Sequence, residues 1–376
     1  MIVLIIIVVA LIVLVLYLYF YRRREKVSGR KPYIEALLAL LENKKDLAMK
    51  KFKDAVNLDS DLMDAYIKLG DLYREKGDIS RAIQVHQSLT VRPTLKKYEE
   101  KKIYYALVND MFANNRQNKA ISFLKEILKI DKKDQHAREL ILRIYEDMGN
   151  YGDCITLYEE GGIKSKTARQ HAFYYASFAH NKLKSPGETK PEVEKEVINL
   201  LKKALKISSS SLSAIYYLAA YFEEKGDLKK AKDYYYKMIT QHSDYAFLII
   251  PKFEKLYFEL NLFDEIIPIY EKIFHKNPKN FAIGLALADL YEKKNDTERA
   301  MNVYSKLSDL YPKSFLPKLR SLKTIADDET IKEKISEIEN SLVHGNVRCT
   351  NCGFVTEEFA FLCPRCHAVE SFLPYL

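Results

Sequence analysis

The chain has 376 residues, with 60 Lys and Arg against 51 Asp and Glu, a net charge of +9, 27 Tyr and no Trp. Its lysines are spread along the chain rather than massed in one tract, which argues against a nucleic-acid groove and suits a solvated surface beside an anionic membrane. Five cysteines, four of them beyond residue 348, are metal-site usage in a reducing compartment and argue against a disulfide framework.

Residues 1–20, MIVLIIIVVALIVLVLYLYF, carry neither a charge nor a helix breaker. About 20 helical residues, each rising about 1.5 Å, span the hydrocarbon core of a bilayer. Tyr17, Tyr19 and Tyr21 close the run, and Arg22, Arg23 and Arg24 follow at once. Aromatics favour the interface and basic residues the cytoplasmic side. The pattern predicts an uncleaved single-pass anchor over residues 1–21, with the bulk of the chain in the cytoplasm. A cleaved signal would need positive charge before the run and a small-residue site after it, and the sequence has neither. A short linker is expected over 22–32.

A helix pair then recurs over residues 33–312. Its clearest copies are AYIKLGDLYREKGDISRAIQVHQSL at 65–89 and AIYYLAAYFEEKGDLKKAKDYYYKM at 214–238. A small-residue slot early in the second helix falls at Ala48, Ala82, Ala120, Cys154, Val197, Ala231, Ile266 and Ala300. The gaps are 34, 38, 34, 43, 34, 35 and 34 residues. A period of about 34 is that of tetratricopeptide arrays. The two long gaps hold VRPTLKKYEE and KSPGETKPEVEKE. The slot stays small because the two helices of a pair approach closely there.

Four residues on, and hence on the same helix face, stand Phe52, Leu124, Tyr158, Leu201, Tyr235, Tyr270 and Tyr304. Repeat two has His86 instead, expected as a partly exposed histidine at the core edge. Asn43, Gly77, Asn115, Gly149, Gly226, Asn261 and Asn295 tolerate the left-handed conformation that ends a helix.

The fold class expected is therefore all-α, a superhelix of about eight tetratricopeptide repeats whose first helices form a concave, partner-binding face. Candidate partner residues on that face are Asp71, Arg74, Tyr105, Asn109 and Tyr216. Cys154 reads as a buried, inert thiol. No phosphate loop, HExxH, GxSxG or Rossmann fingerprint occurs, which argues against an enzyme. A further helical stretch covers 313–345, with Ile331, Ile335, Ile338 and Leu342 spaced as one amphipathic helix.

The last segment, 346–376, contains RCTNCGF and then LCPRCHA. Cys349, Cys352, Cys363 and Cys366 form two CxxC knuckles that can close around one tetrahedral metal, Zn2+ or alternatively Fe. Gly353 supplies permissive backbone after the first pair. His367 stands where Gly would be usual after the second, and is not expected to be a ligand. About 30 residues cannot bury enough surface to fold alone, so a metal must hold them. Phe354, Phe359, Phe361, Phe372 and Leu373 are expected to pack on the final helices and cap the end of the array. The local charge is acidic, with Arg348 and Arg365 against Glu357, Glu358 and Glu370, which opposes phosphate binding.

Anchor, array and a terminal rubredoxin-like knuckle pair, in that order along the whole chain, resemble the lipopolysaccharide assembly protein B family. The most specific part is the ending, RCTNCGF and LCPRCHA. The resemblance implies a non-enzymatic adaptor of the bacterial inner membrane that regulates lipopolysaccharide synthesis. It implies presentation of the lipid A pathway deacetylase to a membrane-bound AAA protease, with other envelope-assembly proteins as further partners and no nucleic acid. Homo-oligomerisation stays open. Family members commonly carry Trp near the second knuckle, and this chain has none. The competing reading is a general membrane-tethered scaffold for complex assembly or chaperone docking.

Overall fold

A computed structural model of the chain describes residues 2–93, 95–161, 163, 167–184, 191–342 and 346–375, with the backbone alone at 2–9, 20–28 and 340–342. The chain divides into two compact units, Met1–Ile144 and Tyr145–Leu376. In the first unit, helix Ile2–Leu41 packs on Lys45–Leu58, Met63–Glu75 on Ile79–Thr90, and Lys97–Ala113 on Gln117–Ile130. The division falls inside helix Gln135–Asp147.

The second unit continues with Tyr151–Glu159 packed on Ala168–Lys184, which in turn packs on Pro191–Ile207. Leu212–Glu224 packs on Leu228–Gln241. A 3-10 turn, Ser243–Leu248, leads to Ile250–Glu259, which Ile266–Lys276 follows. Phe281–Lys293 packs on Thr297–Leu310. Two helices, Leu316–Ile325 and Glu329–Leu342, make up the expected helical stretch, the second of them the one expected from the spacing of Ile331, Ile335, Ile338 and Leu342. Ile335 in the last is buried, whereas Ile331 and Ile338 are exposed.

The local chemistry explains why the pairs form. Every Asn and Gly assigned to a helix end has a positive φ, from 51° at Asn115 to 81° at Gly77. Asp follows three of them and caps the next helix. The carboxylates of Asp78, Asp227 and Asp296 accept from the backbone N–H of Arg81, Lys230 and Arg299 at 3.1–3.2 Å. The Gly-Asp and Asn-Asp turns thus stop one helix and start its partner within two residues.

All eight slot residues are buried, seven of them completely. Phe52, Leu124, Leu201, Tyr235, Tyr270 and Tyr304 are likewise fully buried four residues on. The all-α tetratricopeptide fold follows from this one recurring contact.

One expectation changes at the N-terminus. Residues 22–32 are not a linker: helix Ile2–Leu41 runs through them, Pro32 included. Arg, Glu and Lys in this stretch are good helix formers, and the close contact of Gly29 with the 59–62 turn holds the helix beyond them. Among the described residues no helix is long and apolar enough to cross a membrane. The expected anchor, 1–21, lies mostly outside the residues whose side chains are described; the apolar side chains at 11–19 are exposed. Residues 185–190 of the second long gap also lie outside the described residues.

The chain ends in a small sheet of β1 Val347–Cys349, β2 Val355–Thr356 and β3 Phe372–Pro374, antiparallel and ordered β2-β1-β3. Val347 pairs with Thr356 on one side and Pro374 on the other, while Cys349 pairs with Phe372.

Candidate metal centre

The two knuckles are built alike. In the first, Gly353 N–H donates to Cys349 C=O at 2.9 Å and Cys349 N–H donates to Phe354 C=O at 2.8 Å. In the second, His367 N–H donates to Cys363 C=O at 2.9 Å and Cys363 N–H donates to Ala368 C=O at 3.0 Å. Gly353 and His367 occupy equivalent left-handed positions, with φ of 74° and 57°. For His this conformation costs free energy that Gly avoids, so its presence calls for a compensating contact.

These turns bring the four Sγ atoms within 4.8 Å of one another. Cys349 and Cys366 are 3.7 Å apart, as are Cys352 and Cys363. Four thiolates at about 2.3 Å from a central ion in a tetrahedron would be about 3.8 Å apart, so the donor set fits a single soft metal ion. Ser371 Oγ lies 3.2 Å from Cys349 Sγ, and Asn351 Nδ2 donates to Cys366 Sγ at 3.3 Å. Burial raises the Cys349 thiol, but the Ser371 hydroxyl and the N–H groups of Cys352 and Asn351 outweigh it and bring it down to about 6. Burial pushes the Cys363 thiol up to about 12. Neighbouring thiolates repel one another unless a cation shares them.

The compensating contact for His367 lies outside the knuckles. Its Nδ1 is 2.8 Å from Glu146 Oε2, and its Nε2 is 3.5 Å from Asp147 Oδ1. Glu146 is buried and also accepts from Gln170 Nε2 at 3.0 Å and from the Tyr174 hydroxyl. The group of clustered donors is Cys349, Cys352, Cys363 and Cys366, and His367 stands outside it.

A second buried carboxylate, Glu370, accepts from both Ser213 N–H at 2.8 Å and Ser213 Oγ at 3.0 Å. It therefore sits on the N-terminus of helix Leu212–Glu224, where free N–H groups and the helix dipole favour an anion. Arg169 Nε is 3.8 Å away, and the Tyr245 hydroxyl donates to the Glu370 carbonyl. Burial nevertheless leaves this carboxyl above its ordinary value. Phe361 packs against Tyr216 and Tyr217, with ring centroids at 5.6 and 5.3 Å, and Phe359 against Phe247 at 6.0 Å.

The knuckle module is thus docked, within the second unit, on Glu146 and Asp147, on helices Ala168–Lys184 and Leu212–Glu224 and on the Ser243–Leu248 turn. The expected cap on the final helices is corrected: the partners of its aromatics lie more than 100 residues earlier. Where it docks, a cleft of about 590 Å³ opens, lined among others by His180, Tyr217, Phe359, Phe361 and His367.

The five candidate partner residues fare differently. In the first unit, Arg74 bonds Asp71 at 2.6 Å and the buried Asp110 at 2.9 Å. His86 joins this network and is fully buried, not at the core edge. Its Nδ1 is 2.6 Å from Asp110 Oδ2 and its Nε2 is 3.1 Å from the Ile67 carbonyl. Gly70 makes room for it, since a Cβ there would come within 2.3 Å of the ring. Tyr105 donates to Asp134 at 2.8 Å, and Asn109 is exposed. Tyr216, in the second unit, lines the cleft under Phe361. Cys154 is fully buried in its slot. Glu146, Arg169, Ser213 and Glu370 carried no recognisable motif.

Profiles of the tetratricopeptide repeat match residues 64–85, 213–245 and 257–324. The chain is similar to lipopolysaccharide assembly protein B of Escherichia coli K12, 23% identical over 367 residues that cover 91% of this chain and 88% of that one. It is similar to the same-named protein of Haemophilus influenzae, 25% identical over 91% and 89%. The resemblance drawn from the sequence thus meets relatives that bear the same name along 91% of the chain. Among solved structures it resembles YrrB, titled a TPR protein with an unusual peptide-binding site, at 16% identity and a TM-score of 0.33 over 49% of this chain and 89% of that one. MamA follows at 20% identity and a TM-score of 0.34 over 48% and 92%.

Proposed function

We propose that this chain is a single-pass inner-membrane adaptor of lipopolysaccharide assembly, acting through protein–protein contacts rather than catalysis. The observation that carries the reading is similarity over 91% of the chain to proteins named for lipopolysaccharide assembly. It is supported by a helix-pair array whose second unit bears a knuckle module against helices Ala168–Lys184 and Leu212–Glu224. The uncharged run at 1–20 supplies the anchor, and residues beyond it lie in the cytoplasm. The array presents the lipid A pathway deacetylase to a membrane-bound AAA protease.

Cys349, Cys352, Cys363 and Cys366 are the ligands of one ion, zinc in preference to iron. That ion supplies a structural cross-link and no chemistry on a substrate. Glu146 and Glu370 then fix the module on the array through His367 and Ser213. Asn109 and Tyr216 are the partner contacts retained from the sequence; Asp71, Arg74 and Tyr105 tie helices together instead.

The test is a crosslinking pull-down from intact membranes, with and without residues 346–376, together with the steady-state level of the deacetylase. Recovery of protease and deacetylase with the full chain alone is expected. Recovery of chaperones or unrelated complexes in their place would favour the general scaffold.

A further inference from the structure

The long gap after the second repeat holds VRPTLKKYEE, whose last four residues open helix Lys97–Ala113 and whose Leu95 packs against Leu89, Ile103 and Leu107. Its placement in the first unit gives it a role. Helix Ile2–Leu41 carries the apolar run at one end and meets the repeats at Gly29. A Cβ at Gly29 would come within 2.4 Å of Asp59 Cβ and 3.2 Å of Leu62 Cδ1, so the helix lies directly against the 59–62 turn.

Short turns make successive helices antiparallel, which puts every second turn at the Gly29 end: the 59–62 turn and then the 91–96 loop. Two contacts tie this end together. Arg92 lies over the Tyr66 ring at 4.7 Å, and Lys102 bonds Asp64 at 3.2 Å. The alternate turns meet at the opposite end, where Lys45 pairs with Glu75 at 2.8 Å and Lys76 with Asp46.

Residue 29 lies eight residues beyond Tyr21, about 12 Å along a helix. An interfacial zone about 5–7 Å deep flanks the hydrocarbon core. If residues 1–21 span a bilayer, the Gly29 end of the first unit is the end that faces its surface. At that end the 91–98 loop combines an exposed apolar tip with positive charge. Val91 is 82% exposed and Tyr98 55% exposed. Lys96 and Lys97 are exposed and Arg92 half-buried. Lys96 and Lys102 both flank the Tyr98 ring at 5.9 Å. Of the nearby acids, Glu99 accepts the Lys96 N–H at 2.9 Å and the Tyr98 hydroxyl at 3.0 Å, and Asp64 is taken by Lys102. With Glu100 beside it, the stretch 91–100 still carries three basic residues against two acids. Asp59 and Asp61 stand at the same end, on the 59–62 turn, where the Asp59 carboxylate accepts the Asp61 N–H at 2.9 Å.

The geometry points to a second membrane contact at Val91, Arg92 and Lys96–Tyr98, additional to the anchor and resting on the anchor reading. Val91 and Tyr98 face the headgroup surface of an anionic bilayer, and the long side chains of Arg92, Lys96 and Lys97 reach toward its phosphates. Tyr is at home at such an interface, and basic residues there are attracted by anionic lipid. With the continuous helix, this contact holds the first unit at two points and fixes its orientation to the membrane.

The test uses the full, metal-loaded chain in vesicles of phosphatidylcholine and phosphatidylglycerol that carry quencher lipids. An environment-sensitive fluorophore is attached at Val91→Cys or, as the opposite-end control, at Leu47→Cys. Strong quenching at residue 91 is expected, with little at residue 47. It should fall to the control level with Lys96→Glu/Lys97→Glu, in phosphatidylcholine alone, or at high salt. The salt series on the unreversed chain serves if the double variant misfolds. Equal quenching at both positions in protein that floats with the vesicles would overturn the loop contact and leave the anchor standing. Protein that fails to float would overturn the anchor reading and the loop contact with it.

Discussion

The repeat pairs and the knuckle module reach order by opposite routes. A repeat is made of near neighbours: a positive-φ Asn or Gly, an Asp cap, a small slot and an apolar residue four positions later. The module has a short sheet, four thiols and a few aromatics. Its polar ties to the array reach Glu146 across 221 positions and Ser213 across 157. The difference teaches where each region is vulnerable. Damage to one repeat is shared with its neighbours, whereas the module depends on one ion and a few buried carboxylate contacts.

The largest effect should come from the thiols. Cys363→Ser leaves three donors for the ion, and the binding free energy that folds so small a module, about 10–16 kcal/mol in comparable zinc peptides, is largely lost. Metal content should fall and the module should become protease-sensitive, while the far-ultraviolet circular dichroism keeps the helical signal of the array. Retained metal at one per chain would mean that the ligands are misassigned.

Glu370→Ala should separate docking from folding. It leaves Ser213 N–H and Oγ without their acceptor, a cost of about 1–3 kcal/mol, yet touches no thiol. Limited proteolysis should release the module with its metal still bound. An effect of the same order, confined to the repeats, is expected from Ala231→Phe. Overpacking at this fully buried slot costs about 1–3 kcal/mol, whereas Lys229→Ala on the exposed face should stay within about 0.5 kcal/mol. Equal melting shifts for the two would break the repeat register.

What the sequence made legible follows the same division. Period, caps and slots are local, so eight slot residues and seven helix ends could be placed from spacing alone. The knuckles were legible because each CxxC closes within a few residues. His367 at a glycine position signalled an unusual second knuckle, but its reason, Glu146, lies in a distant helix. His86 was misplaced at the core edge because its partner Asp110 is on another helix, 24 residues on. The 22–32 stretch read as a linker because charge follows grease there. Its residues are helix formers, and Gly29 lets the continuing helix lie against the 59–62 turn.

The smallest effect is a pH dependence of the second unit. Burial first, and then the Lys184 charge, bring His180 down from 6.5 to about 4. Burial lowers His171 and His242 as well. A base depressed in the folded state binds fewer protons there than when unfolded. Its stabilising effect is therefore complete above the ordinary value of 6.5 and is lost as pH falls from there through about 4. His180 is partly solvated, which reduces the size of the effect. Melting temperature should fall over that window, and His180→Gln should flatten the slope.

The most direct measurement of the docking of module on array is amide hydrogen exchange at Ser213, whose N–H donates to Glu370. In the metal-loaded chain this amide should be protected. In Cys363→Ser it should exchange rapidly, while Leu316–Ile325 keeps its protection. If Ser213 stayed protected and Leu316–Ile325 lost protection instead, the module would be a cap on the final helices, and the docking described here would be wrong.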